Sequence, residues 1–139
     1  MKLIIMVGLP ASGKSTLAKK YAEDFDCELI KYDEFPAPVH KKKEAILAKV
    51  EEYLADGKDV IVDGVYVSKI KRSGFVNAGR KYDAEICFYM VDTTEEECIE
   101  NNKERDCPID EGFIRYASCI YEEPTEDEYD TLIRSEENE

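Results

Sequence analysis

The chain has 139 residues, 43% of them hydrophobic, and a formal net charge of −13 at pH 7. That length supports one full core and not two catalytic domains, and no apolar run approaches the roughly 20 residues that cross a bilayer. The charge is uneven: residues 1–91 hold 15 Lys+Arg and 14 Asp+Glu, whereas residues 92–139 hold 4 and 18, so the balance alone does not exclude a nucleic-acid partner, whose affinity depends on local basic patches.

The first predicted strand is Lys2–Val7, "KLIIMV". Its apolar stretch is too short before Gly8 to serve as a signal peptide, and a soluble, cytoplasmic chain with no membrane partner is expected. Leu17, Ala18, Tyr21, Ala22 and Phe25 follow at the helical period, which predicts a helix lying on a sheet. "CELIKY" (27–32) is the second strand. Ile46, Leu47, Val50, Tyr53 and Leu54 mark the second helix, with Lys41, Lys42 and Lys43 at its start, a run read as a solvated helix end with substrate contact as the alternative.

"DVIVDG" (59–64) is the third strand, and a third helix opens at Ser68 and ends near Tyr82. "AEICFYMV" (84–91) is the fourth strand, and Thr94 to Glu97 fits a capping box for a helix that buries Cys98 and Ile99. Residues 103–109 read as a loop, Asp110 caps a helix to Ile120, and residues 122–125 break it. "YDTLIR" (129–134) is the fifth strand, followed by an acidic tail, 135–139, expected to fray. Four of the five strands are nearly continuous apolar runs, the pattern of strands covered on both faces, hence a mostly parallel sheet between helices. The expected organisation is one domain over 1–134 with a lid segment near 103–110.

Cys27, Cys87, Cys98, Cys107 and Cys119 show no Cys-x-x-Cys pair, and His40 is the single histidine. Neither zinc nor a disulfide framework is indicated. The thiols are expected reduced and mostly packed.

Gly8-x-x-x-x-Gly13-Lys14-Ser15 has the spacing of a phosphate-binding loop, between a buried strand and an amphipathic helix. Gly8, Pro10, Ala11, Ser12, Gly13, Lys14, Ser15 and Thr16 would surround the phosphates of ATP or a relative. Backbone N–H groups and the helix N-terminus favour anions, Lys14 reaches the β and γ oxygens, and the Ser15 hydroxyl suits Mg²⁺. Asp63 stands at the tip of the third strand, where open parallel sheets place ligands, either to hold Mg²⁺ or to orient a substrate.

A guanine-reading Asn-Lys-x-Asp set is not formed by Asn102-Lys103-Glu104-Arg105, the chain contains no glutamine to position water, and Asp63 is followed by Gly64 rather than glutamate. What remains is transfer to a hydroxyl. That needs a base, for which Asp33 past the second strand is the candidate, and a cation over the phosphates, for which Arg105 or Arg115 is placed to serve.

"GLPASGKST", "IKYDEF", "VIVDGVYVSKIKRSGF" and "NNKERDCPIDEGFIRYASCIYEEP" together resemble the small P-loop kinases grouped with the 5′-polynucleotide kinases and the zeta-toxin-like kinases. The resemblance covers nearly the whole chain. It implies a three-layer P-loop fold with a five-stranded parallel sheet of adenylate-kinase type, Lys14 and Ser15 on ATP and Mg²⁺, Asp33 as base, Asp63 orienting the acceptor, and Arg105 on the phosphates. Two positions depart from the polynucleotide pattern: Asn101 and Pro36 stand where those kinases carry arginines. The expectation is an ATP-dependent kinase with an unidentified hydroxyl acceptor. A nucleic-acid 5′ end is the runner-up, and a nucleotide-sensing binding protein or slow ATPase is the rival.

Overall fold

The computed structural model describes residues 1–134, so the expected tail at 135–139 lies outside the described residues. Five strands, β1 (Lys2–Val7), β2 (Glu28–Lys31), β3 (Val60–Asp63), β4 (Glu85–Met90) and β5 (Thr131–Arg134), form one sheet in the order β2-β3-β1-β4-β5. Every pairing is parallel, with Ile5 opposite Val62 and Phe88, and Lys31 opposite Asp63. Parallel neighbours need crossovers, which the helices α1 (Lys14–Phe25), α2 (Val39–Ala55), α3 (Lys69–Lys81), α4 (Glu95–Lys103) and α5 (Glu111–Ile120) supply.

The apolar runs are buried on both faces because the two-residue period sends alternate side chains to opposite helix layers. Leu3, Ile5, Val7, Phe88 and Met90 pack with Ile46, Val50 and Leu54 of α2 and Phe75 of α3. Ile4, Met6, Ile61 and Cys87 pack with Ala18 and Ala22 of α1. Leu9, Val67, Cys98, Ile99, Ile114 and Ala117 form a third cluster under α4 and α5.

Both predicted caps form. Thr94 and Glu97 complete the capping box, and Asp110 accepts from the Gly112 N–H. Phe25 departs from expectation. It is 60% exposed in the last turn of α1, where it stacks on Tyr21 at 4.4 Å between ring centroids instead of reaching the sheet. The thiols are also less packed than expected, with Cys87 and Cys98 buried but Cys107 and Cys119 exposed.

The acidic third does not simply coat the surface. Arg72 of α3 is wholly buried, and its Nε donates to Glu128 Oε1 at 2.9 Å. Its Nη1 donates to the Tyr66 carbonyl at 3.1 Å and its Nη2 to the Glu122 carbonyl at 3.0 Å. Glu128 also accepts the Thr125 N–H, while Asp130 accepts the Ile86 N–H and pairs with Arg80. The segment between α5 and β5 is thus laced to α3 and β4 by its own acids. No helix among the described residues is long and apolar enough to cross a membrane.

Candidate active site

The loop between β1 and α1 turns through left-handed backbone at Ala11 (φ 63°) and Gly13 (φ 92°). Gly13 tolerates that conformation freely, whereas Ala11 bears a steric cost of roughly 1–2 kcal/mol. Two side chains from the lid side fix the loop: Thr93 Oγ1 donates to the Ser12 carbonyl at 2.8 Å, and Asn101 Nδ2 donates to the Ala11 carbonyl at 3.1 Å. Asn101, noted in the sequence only as a departure, is therefore a tether between α4 and the loop. No side chain caps the N-terminus of α1, which leaves its first N–H groups available to an anion.

Lys14 is buried, and its Nζ donates to the Leu9 carbonyl at 3.4 Å. Burial pulls its pKa below the ordinary value, opposed by the charges of Asp63 and Asp33. The unfolded chain is then the better proton binder, so the fold gains stability as pH climbs toward 10.5 and bears the cost of the charge at neutral pH. Lys14→Met is expected to weaken ATP binding by about ten- to a hundredfold, while the melting temperature of the nucleotide-free protein stays equal or rises. Calorimetric titration and a thermal melt read the two effects.

Ser15 Oγ donates to Asp63 Oδ2 at 2.6 Å. The other oxygen, Asp63 Oδ1, is buried without a hydrogen-bond partner. A hydroxyl beside a carboxylate with one unsatisfied oxygen fits a hard cation that takes oxygen ligands. No group of three or more His, Cys, Asp and Glu gathers among the described residues; this donor set suits Mg²⁺, which is commonly held by one or two carboxylates plus substrate phosphates. After Asp63 the chain is constrained by close approach, because a Cβ on Gly64 would lie 2.7 Å from the Tyr66 ring. Burial, reinforced by the nearby Asp63 charge, pushes the Tyr66 phenol pKa upward, so it stays neutral.

A cavity of about 790 Å³ opens over these groups. The loop from Pro10 to Thr16 forms one wall. Asn101, Arg105, Ile109 and Phe113, from α4, α5 and the segment between, form the lid side. Asn102 holds the base of that segment by pairing its amide with both backbone groups of Ile109, at 2.8 and 2.9 Å. The third wall carries Tyr32, Asp33, Lys43, Ile46, Tyr66, Lys71 and Phe75. Asp33 sits in the 3-10 turn Tyr32–Glu34 after β2 and also lines a smaller adjoining cavity that reaches Asp63.

Of the residues singled out in the sequence, Lys14, Ser15, Asp33 and Arg105 meet at this cavity and Asp63 adjoins it. Arg115 does not line it; its guanidinium pairs with Glu111 and Glu95. Cys98 lies behind the loop with its pKa raised to about 11 by burial, so it is a neutral thiol. Sequence reasoning missed Tyr66, Lys71 and Phe75, although Lys71 and Phe75, four apart on α3, share a face.

A family model described as an AAA domain (AAA_33) matches residues 3–111. The chain belongs to this AAA domain family. The match runs from β1 to the first residue of α5 and so includes the phosphate loop, Asp33, Asp63 and Arg105. No curated protein sequence matches the chain. Among solved structures, Kti12 of Chaetomium thermophilum in complex with ADP-AlF3 is similar with a TM-score of 0.77 and 24% identity, over 96% of this chain and 88% of that one. A sugar kinase from Janibacter sp. HTCC2649 superposes with a TM-score of 0.75 and 13% identity, over 96% and 85%. A gluconokinase from Sinorhizobium meliloti 1021 gives 0.70 and 16%, over 96% and 81%. These likenesses establish the P-loop kinase fold for this member of the AAA domain family.

Proposed function

We propose that the protein is an ATP-dependent kinase that transfers the γ-phosphoryl group to a hydroxyl acceptor. The observation that carries this reading is the Asp33 carboxylate, which shares one cavity with Lys14 and the phosphate loop and makes no hydrogen bond or ion pair among the described residues. A nucleotide-holding site needs no such carboxylate, whereas transfer to an alcohol does.

The triphosphate lies along the loop from Pro10 to Thr16, with its charge met by the N-terminus of α1 and by Lys14. Asp33 accepts the acceptor's hydroxyl proton as the new oxygen–phosphorus bond forms and the β,γ-bridging bond breaks, leaving ADP. Lys14 and Arg105 neutralise charge on the moving phosphoryl group from opposite walls. Ser15 and Asp63 hold Mg²⁺, which when bound neutralises the phosphate oxygens. The lid residues Arg105, Ile109 and Phe113 exclude water from the reacting centre.

The test is ATP consumption with Mg²⁺ at moderate salt, with and without acceptors comprising sugars, sugar acids, nucleosides and 5′-hydroxyl oligonucleotides. Acceptor-dependent ADP formation with stoichiometric phosphorylated product is the expected result. Release of inorganic phosphate at the same rate without any acceptor would replace the kinase reading with an ATPase.

A further inference from the structure

Four cations, Lys14, Lys43, Lys71 and Arg105, line the main cavity against a single carboxylate, Asp33. Under the kinase reading, Lys14 and Arg105 serve the triphosphate. Lys43 of α2 and Lys71 of α3 stand on the other wall, with Asp33, and neither ammonium group makes an ion pair or hydrogen bond among the described residues. Lys31, Lys69 and Lys81 pair with Glu34, Asp127 and Glu51, and Lys19, Lys20 and Lys41, also without an ion pair among the described residues, lie away from the cavity that Lys43 and Lys71 line. In a chain with 32 acidic residues and a net charge of −13, two unpaired ammonium groups facing one cavity wall are surplus to the nucleotide.

We propose that this wall is an acceptor subsite for a small alcohol bearing an acidic group, a carboxylate or a phosphate monoester, held by Lys43 and Lys71. The proposal rests on the kinase reading and names the acceptor's chemical class. An anion approaching ATP and Asp33 meets like charge, which the two lysines offset. The same wall gives Ile46, Tyr66 and Phe75 for the carbon skeleton and the Tyr32 ring beside Asp33. Lys42 Nζ lies 4.7 Å from the Tyr32 ring centroid and braces it from outside the cavity. Because a triphosphate must share the cavity's volume of about 790 Å³, the remaining space suits a small molecule. A polynucleotide would need a longer track of uncompensated cations, and the neighbouring Lys31 and Lys69 are already paired.

The test is calorimetric titration of the full chain, loaded with Mg²⁺ and a non-hydrolysable ATP analogue, with matched probes: gluconate against glucose, and glycerol 3-phosphate against glycerol. At least one acidic probe is expected to bind about thirtyfold or more tighter than its neutral partner. The two pairs show whether carboxylate or phosphate is preferred. Lys43→Gln and Lys71→Gln are each expected to weaken the acidic probe by roughly tenfold and together by about a hundredfold, with the loss confined to the acceptor titration.

Equal binding of acidic and neutral partners, equal losses for both in the variants, or no binding of any probe would overturn the subsite. So would preferential binding of a 5′-hydroxyl oligonucleotide that strengthens with its length, which would assign the lysines to nucleic acid. Lysine-dependent binding of an acidic probe, alongside release of inorganic phosphate from ATP at a rate no acceptor changes, would leave the subsite standing and remove the kinase reading.

Discussion

Asp33→Asn is expected to lower kcat by about 10²–10⁴-fold while the affinity for Mg·ATP changes by less than about twofold. The substitution keeps the side chain's size and removes its ability to take a proton together with its negative charge. Asp33 is exposed at the cavity wall and forms no internal bond among the described residues, so the fold does not depend on its charge. Its position comes from the parallel pairing that sets Lys31 of β2 opposite Asp63 of β3, bringing the turn after β2 beside the metal-competent carboxylate. Single-turnover phosphoryl transfer together with nucleotide titration separates the two effects. A loss of nucleotide affinity as large as the loss of rate would remove Asp33 from the role of base.

Arg72→Met is expected to cost about 3–5 kcal/mol, a large share of the roughly 5–15 kcal/mol that stabilises a domain. The guanidinium is wholly buried, and Glu128 is 4% exposed. Removing the cation leaves a carboxylate in the core and strands the Tyr66 and Glu122 carbonyls that Arg72 serves. Glu128→Gln keeps an acceptor and should cost less, and the double variant should recover part of the loss. Urea unfolding of the three variants gives the coupling directly.

The pair also sets a pH dependence. Burial pushes the Glu128 carboxyl upward, but its hydrogen bonds with Arg72 and the Thr125 N–H outweigh that and hold it below the ordinary value of 4.5. Its stabilisation is therefore present above pH 4.5 and is lost as the pH falls through the lower folded value. In Glu128→Gln this acid limb should flatten.

The sheet was legible because buried parallel strands are nearly continuous apolar runs, and "KLIIMV", "DVIVDG" and "AEICFYMV" could not be read as half-exposed strands. The phosphate loop was legible because its chemistry is local. Asp33 and Asp63 followed from strand ends, which the parallel topology places on one edge. Phe25 misled because the helical period continues through the last turn of α1, where its ring is left exposed beside Tyr21.

The wall that carries Asp33 was otherwise read for substrate contact only at Lys43, within the Lys41–Lys43 run, and its other residues were missed for a different reason. Tyr32, Lys43 and the Tyr66–Lys71 stretch come from three separate parts of the chain that the fold brings to one wall. Arg72 and Glu128 are 56 residues apart, beyond any periodicity, and composition counts Glu128 only as one acid of an acidic C-terminal third. The structure instead uses Glu128, Asp130 and the Glu122 backbone as internal partners.

The Arg72 clamp also bears on how the chain acquires its fold during synthesis. A domain folds as a unit, yet every group proposed here for binding and moving the phosphates precedes Arg105 or is Arg105 itself. A nascent chain exposed only that far has all of its catalytic groups but carries a guanidinium with no carboxylate to bury it against. Completion must wait for Glu128 and for β5 to join the edge of β4. The segment from Glu122 to β5 is the closing step of folding, and until it docks the groups proposed for phosphoryl transfer have no finished core to hold them.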